Sequence, residues 1–166
     1  MDSVARFSET GKGCGFCPVG GTGSDCRETY KCNVANGDIV RGACPAGWHL
    51  PSTDEFETLI AAVGGKNVSG LMLKAQYSWN DNSTTGESGN GVDAYGFSAL
   101  SVGELMEEWT GYSYGSPGTW TMFWSTAEMH SGTAEYLIFM RSSDGAYVQN
   151  VMGKKTNGYP VRCIKN

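Results

Sequence analysis

The sequence predicts an α+β fold, with one or two helices followed by several short antiparallel strands joined by many loops. One amphipathic helix pattern occupies residues 52–65, and most strand-like patterns come after Gly96. Helices that precede a run of strands are typical of the α+β class. Gly makes up 24 of the 166 residues, about twice its usual share. A helical bundle would be richer in Ala, Glu, Lys and Leu, and a disordered chain would lack the aromatic residues, 11% of this chain.

We divide the chain into an N-terminal segment, residues 1–36, and a main domain over 37–166. The first segment contains GKGCGFCPVGGTGSDC (11–26), and each Gly costs a helix or strand interior about 1 kcal/mol. We therefore expect an irregular segment. We expect the cysteines of this segment to form disulfides, and their pairing is undetermined. The alternatives are a zinc site, for which Cys14-x2-Cys17 has ligand spacing, and free thiols. Four of the six Cys lie in this segment: Cys14, Cys17, Cys26 and Cys32.

The first elements of the main domain are a short strand, expected at 37–43, and a helix. Ser52 and Glu55 have the spacing of a capping box, which marks a helix start. An apolar stripe of helical spacing follows and ends at a Gly pair. A second helical turn is expected within 68–75. The stripe is Phe56, Leu59, Ile60 and Val63, with Leu50 as a hydrophobic staple for Phe56 and Gly64-Gly65 as the stop.

A long polar loop, NDNSTTGESGNGVDAY, is expected at 80–95. Loops of this length in compact domains are usually functional or mobile. Its side-chain oxygens are of the kind that calcium prefers, but their spacing does not match an EF-hand. A solvated loop is favoured, and calcium is the alternative. The candidate ligands are Asp81, Asn82, Glu87, Asn90 and Asp93.

The remaining patterns predict strands. Residues 97–100 and 123–126 are short apolar patches. Residues 136–140 and 146–151 are separated by the turn-rich RSSDG and predict a β-hairpin. A closing strand is expected at 159–164. Alternation in the hairpin places Leu137 and Phe139 on one face and Ile138 and Met140 on the other.

The charge of the chain argues against binding to nucleic acid. Its 12 Lys and Arg against 17 Asp and Glu give a net charge of −5. A protein that follows a phosphate backbone needs a basic face. No apolar run is long enough for a membrane helix, so no membrane insertion is expected. Residues 1–10 lack the apolar region of a signal peptide.

No motif for catalysis is found, and the sequence predicts a protein that is not an enzyme. Only two His are present, and neither lies in a catalytic motif. His49 is expected to be structural and to bond locally to the backbone. Cys163 has no neighbouring Cys for copper or redox chemistry. The nearby carboxylates are typical of a solvated turn: Glu104, Glu107 and Glu108.

Five sequence blocks occur in order along the main domain. They are CPAGWHLPSTDEFETLIAAVGG (44–65), LKAQYSWN (73–80), GVDAYGFSAL (91–100), FWSTAE (123–128) and KTNGYPVRCIKN (155–166). With these blocks the sequence, over about 40–166, resembles the Fibrobacter succinogenes major paralogous domain family, a bacterial family with a C-type-lectin-like fold of the formylglycine-generating-enzyme type.

The resemblance implies a compact domain whose two ends meet in a small antiparallel sheet. It places Cys44 close to Cys163 and so implies a disulfide between them. Two reduced, buried thiols are the alternative. The reactive Cys pair of the related formylglycine-generating enzymes has no counterpart in the C-terminal half of this chain.

The resemblance extends to the variable proteins of diversity-generating retroelements, which carry similar scaffold blocks near their C-terminus. In those proteins the exposed residues between the blocks vary and bind diverse ligands, usually proteins. Here Leu137, Phe139 and Val148 would point inward. A second small core beneath the loops is the alternative for the outward set. The expected ligand-binding residues, within 110–155, are Tyr112, Tyr114, Trp120, Met122, Met129, His130, Glu135, Ile138, Met140, Tyr147, Gln149 and Met152.

The sequence thus predicts a non-enzymatic binding protein that presents an aromatic- and Met-rich surface to a protein ligand or surface receptor. Residues 111–133 contain one charged residue, Glu128. Tyr, Trp and Met are enriched at interface cores. No cofactor or metal is expected, calcium aside. Cysteine usage and the resemblance indicate an extracellular, cell-surface or virion-surface location. An adhesive or structural cell-surface domain and a calcium-dependent carbohydrate binder are the alternatives.

Overall fold

A computed structural model describes residues 40–130 and 133–166. Within them it has two helices and small antiparallel sheets joined by loops, so the α+β class is confirmed. The elements, in order, are β1 (Trp48–His49), α1 (Thr53–Ala62), α2 (Ser69–Leu73), β2 (Glu104–Glu108), β3 (Gly111–Gly115), β4 (Trp120–His130), β5 (Thr133–Met140), β6 (Ala146–Lys154) and β7 (Ile164–Lys165).

Helix α1 begins and ends as the sequence predicts. The Glu55 N–H donates to the Ser52 hydroxyl at 3.2 Å, and the Ser52 N–H donates to the Glu55 carboxylate at 2.8 Å. This reciprocal pair satisfies N–H groups that the first turn leaves without partners. At the other end, the Gly65 N–H donates to the Ile60 carbonyl at 2.8 Å. The apolar stripe packs into the core, with Phe56, Ile60 and Val63 buried and Leu59 against them.

Two predicted strands are not formed by the residues that the structure describes. Residues 40–43 lead into a turn at Gly42, which has φ +52°, while 37–39 lie outside the described residues. Residues 97–100 contribute one bridge, between Ala99 and Lys74. Ser98 has φ +52°, a left-handed conformation that interrupts a strand, and its N–H donates to Asp93 at 2.7 Å. The loop predicted at 80–95 contains neither helix nor strand.

Strands β4, β5 and β6 form a three-stranded antiparallel sheet in that order. The predicted hairpin is confirmed as β5 and β6, with Leu137 opposite Val148. One face of this sheet packs on α1 and holds Phe123, Leu137 and Phe139 in the core, with Val148 against it. The inward positions that the resemblance implies are therefore confirmed.

A second hairpin, β2 and β3, lies in a region for which the sequence predicts no strands. Its strands pair antiparallel over five residue pairs, and Trp109 and Thr110 form the turn. The prediction that Glu104, Glu107 and Glu108 lie in a solvated turn is wrong, because all three belong to β2 and Glu104 is buried. Two of the expected ligand-binding residues lie in β3: Tyr112 and Tyr114.

The two ends of the main domain meet, as the resemblance implies. β1 pairs antiparallel with β7, which puts His49 opposite Ile164. The expected disulfide between Cys44 and Cys163 is present, with their Cα atoms 5.7 Å apart. Only the last residue of the predicted strand 159–164 belongs to β7. The segment before it covers β4 instead, where the Trp124 N–H donates to the Pro160 carbonyl at 3.2 Å.

His49 bonds to side chains rather than to the backbone, which corrects the expectation. Its Nε2 lies 2.9 Å from the Glu55 carboxylate and its Nδ1 lies 2.7 Å from Asn166 Oδ1. Burial alone lowers the pKa of His49, but these two hydrogen bonds and the charge of Glu55 outweigh it and raise the pKa above 6.5. The imidazole therefore ties the start of α1 to the C-terminal residue.

The stability of the protein is expected to fall as pH rises from about 6.5 through the raised pKa of His49. Below that range both folded and unfolded states hold the proton, so the contribution of His49 is complete. Urea unfolding between about pH 6 and pH 9 measures the change. His49→Gln should remove this step, and His130→Gln should keep it. Parallel profiles for wild type and His49→Gln would contradict the assignment.

Candidate ligand-binding surface

The face of the β4–β6 sheet opposite the core carries much of the expected surface. Directly paired residues on neighbouring strands share a face. Trp120 pairs with Met140, and Ile138 pairs with both Met122 and Tyr147. These five side chains, which we term the sheet face, therefore lie together as the alternation predicts.

The sheet face is only partly open to solvent. Trp120, Ile138, Met140 and Tyr147 are half-buried. The indole Nε1 of Trp120 is itself buried and has no hydrogen-bond partner among the described residues. Four of the five side chains thus retain some exposed area.

Met122 is not exposed, which corrects its place among the expected ligand-binding residues. Only 5% of it is accessible. It lies within β4, flanked on the same face by Trp120 and Trp124 and opposite Ile138. Large neighbours on three sides leave little of it to solvent.

A second small core closes one end of the same face. The ring centroids of Trp124 and Tyr159 are 4.4 Å apart, and Tyr136 contacts both rings edge-on. Burial raises the pKa of Tyr159 to about 12. The charge of Glu104 also raises this pKa, whereas the hydrogen bond from Asn157 lowers it. The phenol therefore stays protonated at neutral pH. The alternative of a second core applies to this end of the face.

The most exposed aromatic side chains lie on the β2–β3 hairpin. Trp109 at its tip is 102% exposed, Tyr112 is 55% exposed and Tyr114 is 62% exposed. We term these three residues the hairpin surface. Trp109 was not predicted as a site residue. The only sequence signal for it was the alternation of Tyr112 and Tyr114 in Gly-Tyr-Ser-Tyr-Gly, which favours a strand just after Trp109.

The base of the hairpin is joined to the β4–β6 sheet. The Tyr114 hydroxyl donates to the Val102 carbonyl. The next residue, Gly103, donates its N–H to the Trp120 carbonyl at 2.9 Å. Val102 and Gly103 therefore connect the hairpin surface to the start of β4.

The chain segment that carries the hairpin surface and four of the five sheet-face residues is acidic in sequence. Residues 75–140 contain no Lys or Arg. Three of their carboxylates are carried by β2, beside the hairpin surface. The eight acidic residues of this stretch are Asp81, Glu87, Asp93, Glu104, Glu107, Glu108, Glu128 and Glu135.

The structure describes the remaining expected site residues only in part. Glu135 is half-buried in β5, and its carbonyl accepts a hydrogen bond from the Ser125 hydroxyl at 2.9 Å. Four expected side chains lie outside those described: Met129, His130, Gln149 and Met152. The N-terminal Cys set also lies outside the described residues.

Four of the five residues considered for calcium have side-chain oxygens in local hydrogen bonds: Asn82, Glu87, Asn90 and Asp93. Asn82 Oδ1 accepts from the Thr84 N–H at 2.9 Å, and Asn90 Oδ1 accepts from the Trp79 N–H at 3.1 Å. Within residues 40–130 and 133–166, no group of three or more His, Cys, Asp or Glu side chains could hold a metal ion. A polar cleft adjoins this loop, lined by Asn82, Glu87, Ser88, Arg141, Ser142, Ser143 and Asp144.

Neither helix in the described part of the chain is long and apolar enough to cross a membrane.

Comparison with known proteins identifies the family. The model of the Fibrobacter succinogenes major domain matches residues 9–165. The matched range contains all of the described elements and most of the N-terminal segment. No curated protein and no solved structure matches the chain. The chain belongs to the Fibrobacter succinogenes major domain family.

Proposed function

We propose that this protein is a non-enzymatic binding module that presents its hairpin surface and sheet face to a protein ligand. The scaffold would be C-type-lectin-like, and the protein would be of the variable type found in diversity-generating retroelements. Its place would be outside the cell, on a cell surface or on a virion. The disulfide between Cys44 and Cys163 supports that location, because disulfides persist in oxidising compartments.

The observation that carries the proposal is the exposure of Trp109, Tyr112 and Tyr114 on one small hairpin. Large aromatic side chains that lie close together in solvent are unusual in a monomer and mark interaction sites. Trp and Tyr supply contact area at a small cost in side-chain entropy. The half-buried Trp120 begins the neighbouring strand, and its carbonyl accepts a hydrogen bond from Gly103 at the base of this hairpin.

The main alternative is an ordinary cell-surface domain with an adhesive or structural role. The DNA that encodes the chain separates the two. A retroelement protein requires a nearby reverse-transcriptase gene and a near-copy of the segment encoding about residues 110–155. The two copies must differ mainly at template adenines. A calcium-dependent sugar binder is less favoured, because oxygens of the polar loop are already used in hydrogen bonds.

Binding is expected to depend on the hairpin surface. Panning the wild-type protein against a displayed library of random peptides should enrich clones that bind it. The triple variant Trp109→Ala, Tyr112→Ala, Tyr114→Ala should bind those clones at least about tenfold more weakly, because exposed aromatics are frequent hot spots. Its melting temperature should change little, since these side chains are mostly in solvent.

The matched control is Tyr77→Ala with Tyr95→Ala. These tyrosines are as exposed as Tyr112 and Tyr114 but lie outside the hairpin. Clones should bind this double variant as tightly as the wild type. Equal losses in both variants, or no clone that depends on the hairpin, would refute the proposed surface.

A further inference from the structure

We infer that the outer edge of β3 binds an extended, basic segment of the partner protein by strand addition. The inference rests on the proposed function and specifies how the partner docks. It depends on where the backbone groups of β3 point, on what surrounds that edge, and on the local charge.

The hydrogen bonds of β2 fix the direction of its backbone groups. Leu105 donates its N–H to the Gly158 carbonyl at 3.0 Å and accepts from the Gly158 N–H at 2.7 Å. Glu107 donates its N–H to Asn157 Oδ1 at 3.1 Å. Both residues therefore direct these backbone groups away from β3.

This direction determines the outer edge of β3. In an antiparallel pair, opposed residues either exchange both hydrogen bonds or direct both sets of groups outward. Leu105 lies opposite Tyr114, and Glu107 lies opposite Tyr112. The N–H and C=O groups of Tyr112 and Tyr114 thus point away from β2, toward the outer edge.

Among residues 40–130 and 133–166, that edge is unpaired. Across the described residues, no backbone group outside β2 hydrogen-bonds to the backbone of β3. Natural edge strands are usually guarded by Lys, Pro or a covering element. The strand Gly-Tyr-Ser-Tyr-Gly carries neither residue, and Tyr112 and Tyr114 are more than half exposed. Its four outward backbone groups form a ready template for an added strand.

The charge around this edge selects the chemistry of the partner. Residues of an added strand that lie opposite the two tyrosines share their face. Lys or Arg at those alternate positions would lie beside the rings, where a cation–π contact forms, and Glu107 lies on the same face of β2. Neither β2 nor β3 contains a Lys or Arg that would repel them. Acidic side chains at the same positions would instead place like charges on the face that carries Glu107.

The probe is a labelled eight-residue peptide, acetyl-KVKTKVKT-amide, titrated by fluorescence anisotropy. Wild type is expected to bind it, more weakly as salt increases. Tyr112→Val removes the ring but keeps the outward N–H, whereas Tyr112→Pro removes both. Because that N–H makes no bond to β2, proline is compatible with the β2–β3 ladder. Tyr112→Pro should bind about tenfold more weakly than Tyr112→Val.

A second measurement uses the wild-type protein, so it does not depend on how the variants fold. The same peptide with every backbone nitrogen methylated keeps its charges but cannot donate to a strand. It should not bind, and neither should the peptide with Glu in place of Lys. Equal binding of the methylated peptide, or equal affinities for Tyr112→Pro and Tyr112→Val, would overturn strand addition.

The remaining outcomes separate this inference from the proposed function. If the basic peptide does not bind the wild type while library clones still depend on Trp109, strand addition is wrong and the proposed function stands. A dimer in sedimentation that Tyr112→Pro abolishes would place a second copy of the chain on β3. That result would also overturn the basic-partner inference.

Discussion

Replacing Cys44 and Cys163 together with alanine is expected to reduce the free energy of unfolding by about 4–5 kcal/mol on the chain-entropy account. The two residues are separated by 119 positions, so the bond closes a loop that includes nearly the whole main domain. Without it the unfolded chain gains conformational freedom. Guanidinium unfolding of the oxidised protein, compared with the double variant, measures the loss.

A mutant cycle distinguishes the cross-link from simple packing. Cys44 is buried, so its removal also leaves a small void. If the bond dominates, each single variant loses nearly the whole stabilisation and the double variant loses little more. If the thiols act only as small apolar side chains, the two single losses add. Additive losses, or free thiols in the oxidised wild type, would contradict the bond.

The pairing of Cys44 with Cys163 was predicted from the family resemblance and could not be predicted from the spacing of the cysteines. From the sequence alone, six Cys permit many pairings. The family blocks around Cys44 and Cys163 implied that the ends of the domain meet, and the pairing of β1 with β7 confirms it. The four-residue apolar stripe of α1 and the alternation in β5 and β6 needed no such help. Both are strong periodic signals next to clear turn residues.

The sequence did not predict the β2–β3 hairpin or the burial of Met122, and both failures have local physical causes. The β2–β3 hairpin turns at Trp109 and Thr110, which lack the Asn-Gly or Asp-Gly signal of a two-residue turn. Its glutamates also suggested solvent, although Glu104 is buried. The strand around 123–126 is longer than its apolar patch, and large residues cover both its faces. Alternation therefore could not reveal that Met122 is buried.

The largest side-chain effect is expected for Phe139→Ala, a loss of about 3–5 kcal/mol. Phe139 is fully buried, and its ring lies 6.0 Å from those of Phe97 and Phe123. No other described ring joins β5 to both β4 and the segment before β2. Truncation removes those contacts and leaves a cavity between the sheet and α1. Urea unfolding gives the change.

Met140→Ala is the matched comparison, because Met140 follows Phe139 in the same strand and lies on the sheet face. It is half-buried, so its truncation should cost about 1 kcal/mol or less. A large difference between the two variants means that the open end of the sheet face, around Met140, contributes little to the stability of the domain. Residues at that end are then free to vary without unfolding it, as a variable binding protein requires. Equal losses would make both faces core and leave the hairpin surface alone to bind a partner.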